Sequence, residues 1–180
     1  MNPGKAWTTD TDRRAARRRR SRDQVPVRRR PRASISEISF DYRPGPPGRT
    51  DVHRIIPCID TVPLLDLVDS FELNVGMQPA GGAYGGIVPR FVKFGSAISH
   101  FHGTTRLTSE QKTPVLACEC GELACWPMLT RITLTGDLVV WDRFQQPYRP
   151  TRDYGTFGPF LFDRDQYDSA VRTLTTRHDE

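Results

Sequence analysis

Two segments of the chain place apolar residues at helical spacing. In the first, the apolar positions i, i+3, i+4 and i+7 are Leu64, Leu67, Val68 and Phe71. In the second, the same positions are Tyr167, Ala170, Val171 and Leu174. Side chains at this spacing lie on one face of a helix, so the pattern predicts helices near 63–73 and 164–176. Asp163 is the expected N-cap of the second helix.

The charged residues of the first segment lie opposite its apolar face. They are Asp66, Asp69 and Glu72, and we interpret them as a solvated surface rather than as a metal or acid–base site. Asp60 or Thr61 is the expected N-cap of this helix, because short oxygen-bearing side chains accept hydrogen bonds from the first free backbone N–H groups.

Shorter apolar runs predict β-strands in the preceding part of the chain. Ile35, Ile38 and Phe40 alternate imperfectly before the loop sequence R-P-G-P-P-G, and 52–59 forms a second, nearly continuous apolar run. Pro57 lacks the N–H group that a sheet ladder needs, so it favours an edge position for the second strand.

The best hairpin in the sequence is centred on Gly136 and Asp137. Two β-rich runs, M-L-T-R-I-T-L-T and L-V-V-W-D-R-F, flank this two-residue turn. Helices and strands follow one another in segregated rather than alternating order. We therefore predict that 33–180 is a single α+β domain, with a mostly antiparallel sheet covered by the two helices.

Charge is distributed very unevenly along the 180 residues. Residues 1–32 contain Lys5 and eleven arginines against three aspartates, a formal charge of +9, whereas 33–180 hold 14 basic and 18 acidic residues, a charge of −4. A tail of this kind buries no apolar surface and its like charges repel, so 1–32 is predicted to be disordered.

The arginine tail is suited to attachment to nucleic acid or another polyanion, without sequence preference. The residues that carry this prediction are Arg17, Arg18, Arg19, Arg20, Arg28, Arg29 and Arg30. A solvated extension without a partner is the alternative.

The sequence lacks the patterns of secreted and membrane proteins. No apolar segment follows the first arginines, as an export signal requires, and no apolar run approaches the roughly 20 residues of a membrane-spanning helix. We therefore expect a cytoplasmic protein without a membrane partner. Its four cysteines should stay reduced there, which favours metal binding or inert thiols over disulfides.

Three of the four cysteines lie in 115–126, V-L-A-C-E-C-G-E-L-A-C-W, which we call the cysteine turn. Cys118 and Cys120 point to the same side of an extended chain, and a turn at Gly121 would bring Cys125 back to them. Three thiolates around a tight turn fill three positions of a tetrahedral zinc site. Metal-free thiols packed in the core are the commoner outcome for such cysteines, and a redox or nucleophilic role is a further alternative.

A fourth zinc ligand would come from the remaining cysteine or from a histidine. The candidates are Cys58, His53, His100 and His102. In the sequence S-H-F-H-G, His100 and His102 lie on one face if the segment is extended, which suits convergence on a metal ion. Loop histidines with other partners are the commoner outcome.

Cationic and aromatic residues cluster in and beside 145–154, Q-Q-P-Y-R-P-T-R-D-Y, which we call the contact loop. The members of this cluster are Arg143, Tyr148, Arg149, Arg152 and Tyr154. The combination is typical of a contact with a ligand or with nucleic acid. A solvated loop that packs at the rim of the sheet is the alternative.

Three stretches give the chain a family resemblance over roughly 52–176: C-E-C-G-E-L-A-C-W-P, W-D-R-F-Q-Q-P-Y-R and F-G-P-F-L-F-D-R-D-Q-Y. It resembles a group of small bacterial proteins, common in actinobacteria, that share a C-x-C-G-x3-C-W-P core. No activity is established for that group, so the resemblance implies a shared fold. The positions that it highlights are Cys118, Cys120, Gly121, Cys125, Trp126 and Pro127. The Cys-x-Cys start also resembles SWIM-type zinc fingers, whose Cys-x-His half is missing here.

Three functions from different classes are compatible with these patterns. The first is a non-enzymatic binding or interaction protein, in which the cysteine turn is a structural zinc site or part of the core. The second is a nucleic-acid-associated protein that attaches through its tail and makes contact near Arg149. The third is an enzyme with a cysteine nucleophile and His100 or His102 as base. The sequence identifies no protein partner.

Overall fold

The structure is a computed structural model that describes residues 34–49, 51–92, 96–104 and 111–178. The arginine tail, 1–32, lies outside the described residues. Within the described part the fold is α+β, as predicted, with a six-stranded mixed sheet, a three-stranded antiparallel sheet and three helices.

Most strands are short and pair with neighbours of opposite direction. In chain order they are β1 (Ile35–Ser36), β2 (Ile38–Pro44), β3 (His53–Ile59), β4 (Val62–Pro63), β5 (Tyr84–Gly85), β6 (Thr113–Cys118), β7 (Met128–Thr135), β8 (Leu138–Gln145) and β9 (Phe160–Asp163). The helices are α1 (Leu64–Asn74), α2 (Ala97–Phe101) and α3 (Arg164–His178). The large sheet has the order β1-β9-β8-β7-β6-β5, in which only β1 and β9 are parallel, and the small sheet has the order β2-β3-β4.

The predicted hairpin forms the centre of the large sheet. β7 and β8 are antiparallel and meet at the pair Thr135 and Leu138, so Gly136 and Asp137 form the turn between them. On β8, Trp141 is fully buried, and its Nε1 donates a hydrogen bond to the hydroxyl of Tyr167 at 3.0 Å. Because Tyr167 belongs to α3, this contact fixes the helix against the large sheet.

α3 begins where its sequence predicts and holds the two sheets together. Asp163 Oδ1 accepts a hydrogen bond from the backbone N–H of Gln166 at 3.0 Å, which is the expected N-cap. The side-chain amide of Gln166 then donates to Ile38 O at 2.6 Å and accepts from Ile38 N at 3.1 Å, so it satisfies both backbone groups of the first residue of β2. The predicted apolar face is buried at Tyr167, Val171 and Leu174.

β3 is the middle strand of the small sheet, so the edge position predicted from Pro57 is wrong. Ile55 exchanges backbone hydrogen bonds with Ile87 at 2.7 and 2.9 Å, which places its polar groups on the side away from β2. The backbone nitrogen of Pro57, two residues further on, points to the same side of β3, away from β2. β4 pairs there only with Cys58 and Ile59, so the missing N–H of Pro57 faces no ladder partner.

The N-cap predicted for α1 is also wrong. Pro63 occupies the cap position without a side-chain hydrogen bond. Asp60 and Thr61 instead form the turn between β3 and β4, with φ angles of 50° and 71°. Asp60 Oδ1 accepts a hydrogen bond from Glu37 N at 2.8 Å, so its carboxylate fixes the chain just before β2 rather than the helix.

Candidate metal centre

After β6 the chain reverses in a tight turn at the position that the sequence predicts. Gly121 N donates to Cys118 O at 2.8 Å, and Cys118 N donates to Glu122 O at 3.1 Å. Gly121 has a φ of 89°, a conformation that favours glycine. A Cβ atom at this position would also lie 2.9 Å from Pro46 Cγ, so the close approach of a second loop requires glycine here.

The first half of the cysteine turn is anchored to two neighbouring strands. Tyr84 of β5 pairs with Cys118, and Glu119 N donates to Ala83 O at 3.1 Å. Arg54 of β3 donates from Nη1 to Glu119 Oε1 at 3.0 Å. The backbone that carries Cys118 is therefore fixed by the sheets rather than by the loop alone.

The turn brings the three predicted cysteines together. The Sγ atoms of Cys118, Cys120 and Cys125 all lie within 4.8 Å of one another, and those of Cys120 and Cys125 are 3.4 Å apart. Around a tetrahedral zinc ion with Zn–S bonds of about 2.3 Å, sulfur atoms lie about 3.8 Å apart. The observed separations bracket that value, so the three thiols could hold one metal ion.

Exposure separates these thiols from an ordinary core cysteine. Cys120 and Cys125 are exposed and Cys118 is half-buried, whereas Cys58 is buried in β3. A thiol that faces water gains nothing from apolar packing. Core packing is therefore the wrong interpretation for Cys120 and Cys125, and it describes Cys58.

The pKa values of the Cys120 and Cys125 thiols are shifted in opposite directions. Partial desolvation and the neighbouring thiols of Cys118 and Cys120 raise the pKa of Cys125 to about 12. A hydrogen bond from the backbone of Glu122 lowers the pKa of Cys120. Neighbouring thiolates repel one another, so a bound cation would supply the charge that lets all three lose their protons.

The two histidines predicted as ligands have other partners. α2 and its C-cap make the S-H-F-H-G segment helical, so the extended segment that would place His100 and His102 on one face is wrong. His100 Nε2 lies 2.8 Å from Pro114 O, and burial lowers the pKa of His100 to about 4. His102 Nε2 lies 2.8 Å from Asp168 Oδ1.

The other two candidate ligands lie in β3. Cys58 is buried, which raises its pKa, and His53 is exposed at the start of the strand. Within the described ranges, neither they nor the other histidines join the three thiols in a group of ligand atoms. The fourth ligand stays a prediction, and so does a base for a cysteine nucleophile.

The contact loop lies directly against the cysteine turn. The guanidinium carbon of Arg149 is 3.4 Å from the ring centroid of Trp126, and Arg149 Nη1 donates to Cys125 O at 3.1 Å. Arg152 also approaches the indole ring, at 5.4 Å. The two regions that the sequence treats separately therefore form one continuous site.

Arg152 and Tyr154 extend this site into a buried polar network. Arg152 Nη2 lies 2.8 Å from Glu72 Oε2, and the hydroxyl of Tyr154 donates to Glu72 Oε1 at 2.5 Å. The hydroxyl of Tyr84 lies 2.9 Å from that of Tyr154. Burial and the hydrogen bond to Tyr154 raise the pKa of Tyr84, and burial and the hydrogen bond to Glu72 raise the pKa of Tyr154, so both stay neutral beside the Arg–Glu pair.

Glu72 is fully buried, so the solvated surface predicted for it is wrong. It follows Leu64 and Val68 at intervals of four residues and therefore lies on the same buried stripe of α1. Gly81 N donates to Glu72 Oε2 at 3.1 Å, so the carboxylate also fixes the loop between α1 and β5. The spacing of four could have identified Glu72 from the sequence, whereas no pattern singled out Tyr84 as a partner.

Two members of the predicted contact cluster lie apart from this site. Arg143 is exposed on β8 with a φ of 53°, and Tyr148 is 57% exposed. No hydrogen bond, ion pair or ring contact within the described part of the chain joins either of them to the cysteine turn. The tail arginines predicted to bind nucleic acid lie outside the described residues.

Comparisons with known proteins add no further information on function. No protein-family model, curated protein or solved structure matches the chain. None of the described helices is long and apolar enough to cross a membrane.

Proposed function

We propose that the chain is a zinc-binding interaction protein in which Cys118, Cys120 and Cys125 hold one zinc ion. The observation that supports this proposal is the convergence of three sulfur atoms, all within 4.8 Å of one another, on a turn anchored to the sheets. Thiolate ligands select zinc and other soft or borderline ions over calcium and magnesium, which prefer oxygen.

The proposed role of the zinc ion is to fix a binding surface rather than to act on a substrate. Cys125 is followed directly by Trp126, and Arg149 stacks on that indole. No carboxylate among the described residues pairs with Arg149. Tryptophan and arginine are the residue types that contribute most often to binding hot spots, so a fixed Trp–Arg pair beside the metal suits an interaction site.

Metal content tests this proposal directly. Protein purified without chelators is expected to contain about one zinc ion per chain, because thiolates placed together bind zinc tightly. Addition of a chelator should then make the exposed thiol of Cys120 reactive, because its pKa is lowered, whereas Cys58 should react slowly because it is buried and its pKa is raised. Elemental mass spectrometry and a thiol titration on the same sample measure both quantities. Metal-free protein that stays unable to bind added zinc would contradict the proposal.

We propose a second function for the tail, which is attachment to nucleic acid or another polyanion. The charge of +9 on 1–32, against −4 on 33–180, favours it. Deletion of 1–32 is expected to abolish binding of DNA or RNA in a gel-shift titration. For the intact protein, the logarithm of the binding constant should fall linearly with the logarithm of the salt concentration, with a slope of about −0.9 for each phosphate neutralised on duplex DNA.

A charge-preserving variant is the matched control for the tail. Lysine in place of the seven arginines at 17–20 and 28–30 should retain most of the binding, whereas glutamine at the same positions should lose it. Binding that survives deletion of the tail would contradict this second function.

A further inference from the structure

We propose that Cys120 and Cys125 form a reversible oxidation site, which reacts with hydroperoxides and closes to a disulfide. The observation that carries this proposal is the pairing of two sulfur atoms, 3.4 Å apart and both on exposed residues. The proposal goes beyond the zinc function because the reaction needs neither a bound metal nor a protein partner.

The geometry of the turn distinguishes this pair from the third thiol. Cys120 and Cys125 lie between β6 and β7, outside both strands, whereas Cys118 is the last residue of β6 and pairs with Tyr84. Closing the sulfur separation from 3.4 Å to the about 2.05 Å of a disulfide bond therefore requires adjustment of the turn alone. The same closure with Cys118 would displace a residue that is fixed in the sheet.

The reaction balances with a hydroperoxide as the oxidant. One thiolate attacks the terminal peroxide oxygen, so an S–O bond forms, the O–O bond breaks, and the departing hydroxide or alkoxide takes up a proton as water or an alcohol. The second thiolate attacks the resulting sulfenic sulfur, the S–S bond forms, and hydroxide again leaves and becomes water. For hydrogen peroxide, two thiols lose two electrons and two protons, and one peroxide is reduced to two waters.

Disulfide formation would also determine whether metal can bind. A bond between Cys120 and Cys125 removes two of the three proposed zinc ligands, so oxidation and metal binding exclude one another. This consequence rests on the proposed zinc function, whereas the disulfide itself does not.

Peroxide treatment of the metal-free protein tests the proposal. The chain is expected to lose the mass of two hydrogens, remain monomeric on a non-reducing gel and recover its mass with a dithiol reductant. Alkylation of the oxidised, denatured protein should then label Cys58 and Cys118 and spare Cys120 and Cys125. Labelling of all four cysteines, or a product that is mainly a disulfide-linked dimer, would overturn the proposal.

Single substitutions identify the reacting pair. Cys118→Ala and Cys58→Ala should still close the disulfide, and both act as controls for the loss of a thiol. Cys120→Ala and Cys125→Ala should fail to close it and should leave a sulfenic acid that a dimedone probe traps. A disulfide that is lost in Cys118→Ala would overturn the assignment. If the disulfide closes but the reduced protein fails to bind added zinc, the zinc function is rejected and the oxidation site is retained.

Discussion

Replacing Cys118 with alanine is expected to weaken zinc binding by at least about a hundredfold. Structural zinc sites bind with roughly 10–16 kcal/mol in total, so the loss of one thiolate removes about 3 kcal/mol. Cys118 is the informative ligand because β5 and β6 hold its backbone in place, and the variant therefore changes the ligand set and little else. Competition with a chromophoric zinc chelator measures the dissociation constant.

Cys58→Ala is the matched control for this experiment. It removes the same chemical group from a buried position in β3, outside the group of three thiols. We expect it to retain the zinc affinity of the natural protein while losing some free energy of unfolding, because it leaves a small cavity in the core. Equal zinc affinities in the two variants would show that the cysteine turn is not the metal site.

Replacing Glu72 with glutamine is expected to lower the free energy of unfolding by about 3–5 kcal/mol, because it leaves the buried guanidinium of Arg152 without a counter-charge. Only 6% of the Arg152 side chain and none of the Glu72 side chain is exposed. Removal of one partner from such a pair costs more than the pair contributes, since the remaining charge cannot be hydrated. Urea denaturation followed by tryptophan fluorescence measures the change.

Two further variants give this prediction its controls. Glu37→Gln makes the same chemical change at an exposed position and should alter the free energy of unfolding by no more than about 0.5 kcal/mol. Adding Arg152→Met to Glu72→Gln should restore part of the lost stability, because the unpaired charge is then absent. A Glu72 variant as stable as the Glu37 variant would contradict the buried ion pair.

Features that depend on neighbouring residues could be predicted from the sequence. The helix after Asp163, the hairpin at Gly136 and the turn at Gly121 follow from spacing and local backbone preference, and the structure contains all three. The convergence of Cys118, Cys120 and Cys125 belongs to this group, because one short turn brings them together.

Features that depend on distant residues could not be predicted. Glu72 and Tyr154 lie 82 positions apart, and nothing in a single sequence indicates that they meet. The stacking of Arg149 on Trp126 is non-local in the same way, so the contact loop and the cysteine turn were predicted as separate sites.

The error at the histidines has a local cause. Ser96 accepts a hydrogen bond from Ser99 N at 3.0 Å and caps α2, a pattern that the residues S-A-I-S-H-F already contain. A serine before a short apolar run favours a helical start. That cap turns His100 toward Pro114 in the core and leaves His102 to pair with Asp168.

The two ends of the large sheet have a consequence for self-association. Its outermost strands, β1 and β5, are only two residues long, and the chain beyond β5 continues into a backbone bridge between Ile87 and Ile55. Long unpaired edge strands are the usual template for fibril growth and strand exchange between molecules. In the small sheet, the side-chain amide of Gln166 occupies the backbone groups of Ile38 at the start of β2. The large sheet thus offers little free backbone to another chain at its two ends, whereas β2 is a seven-residue edge strand of the small sheet that Gln166 covers at its first residue.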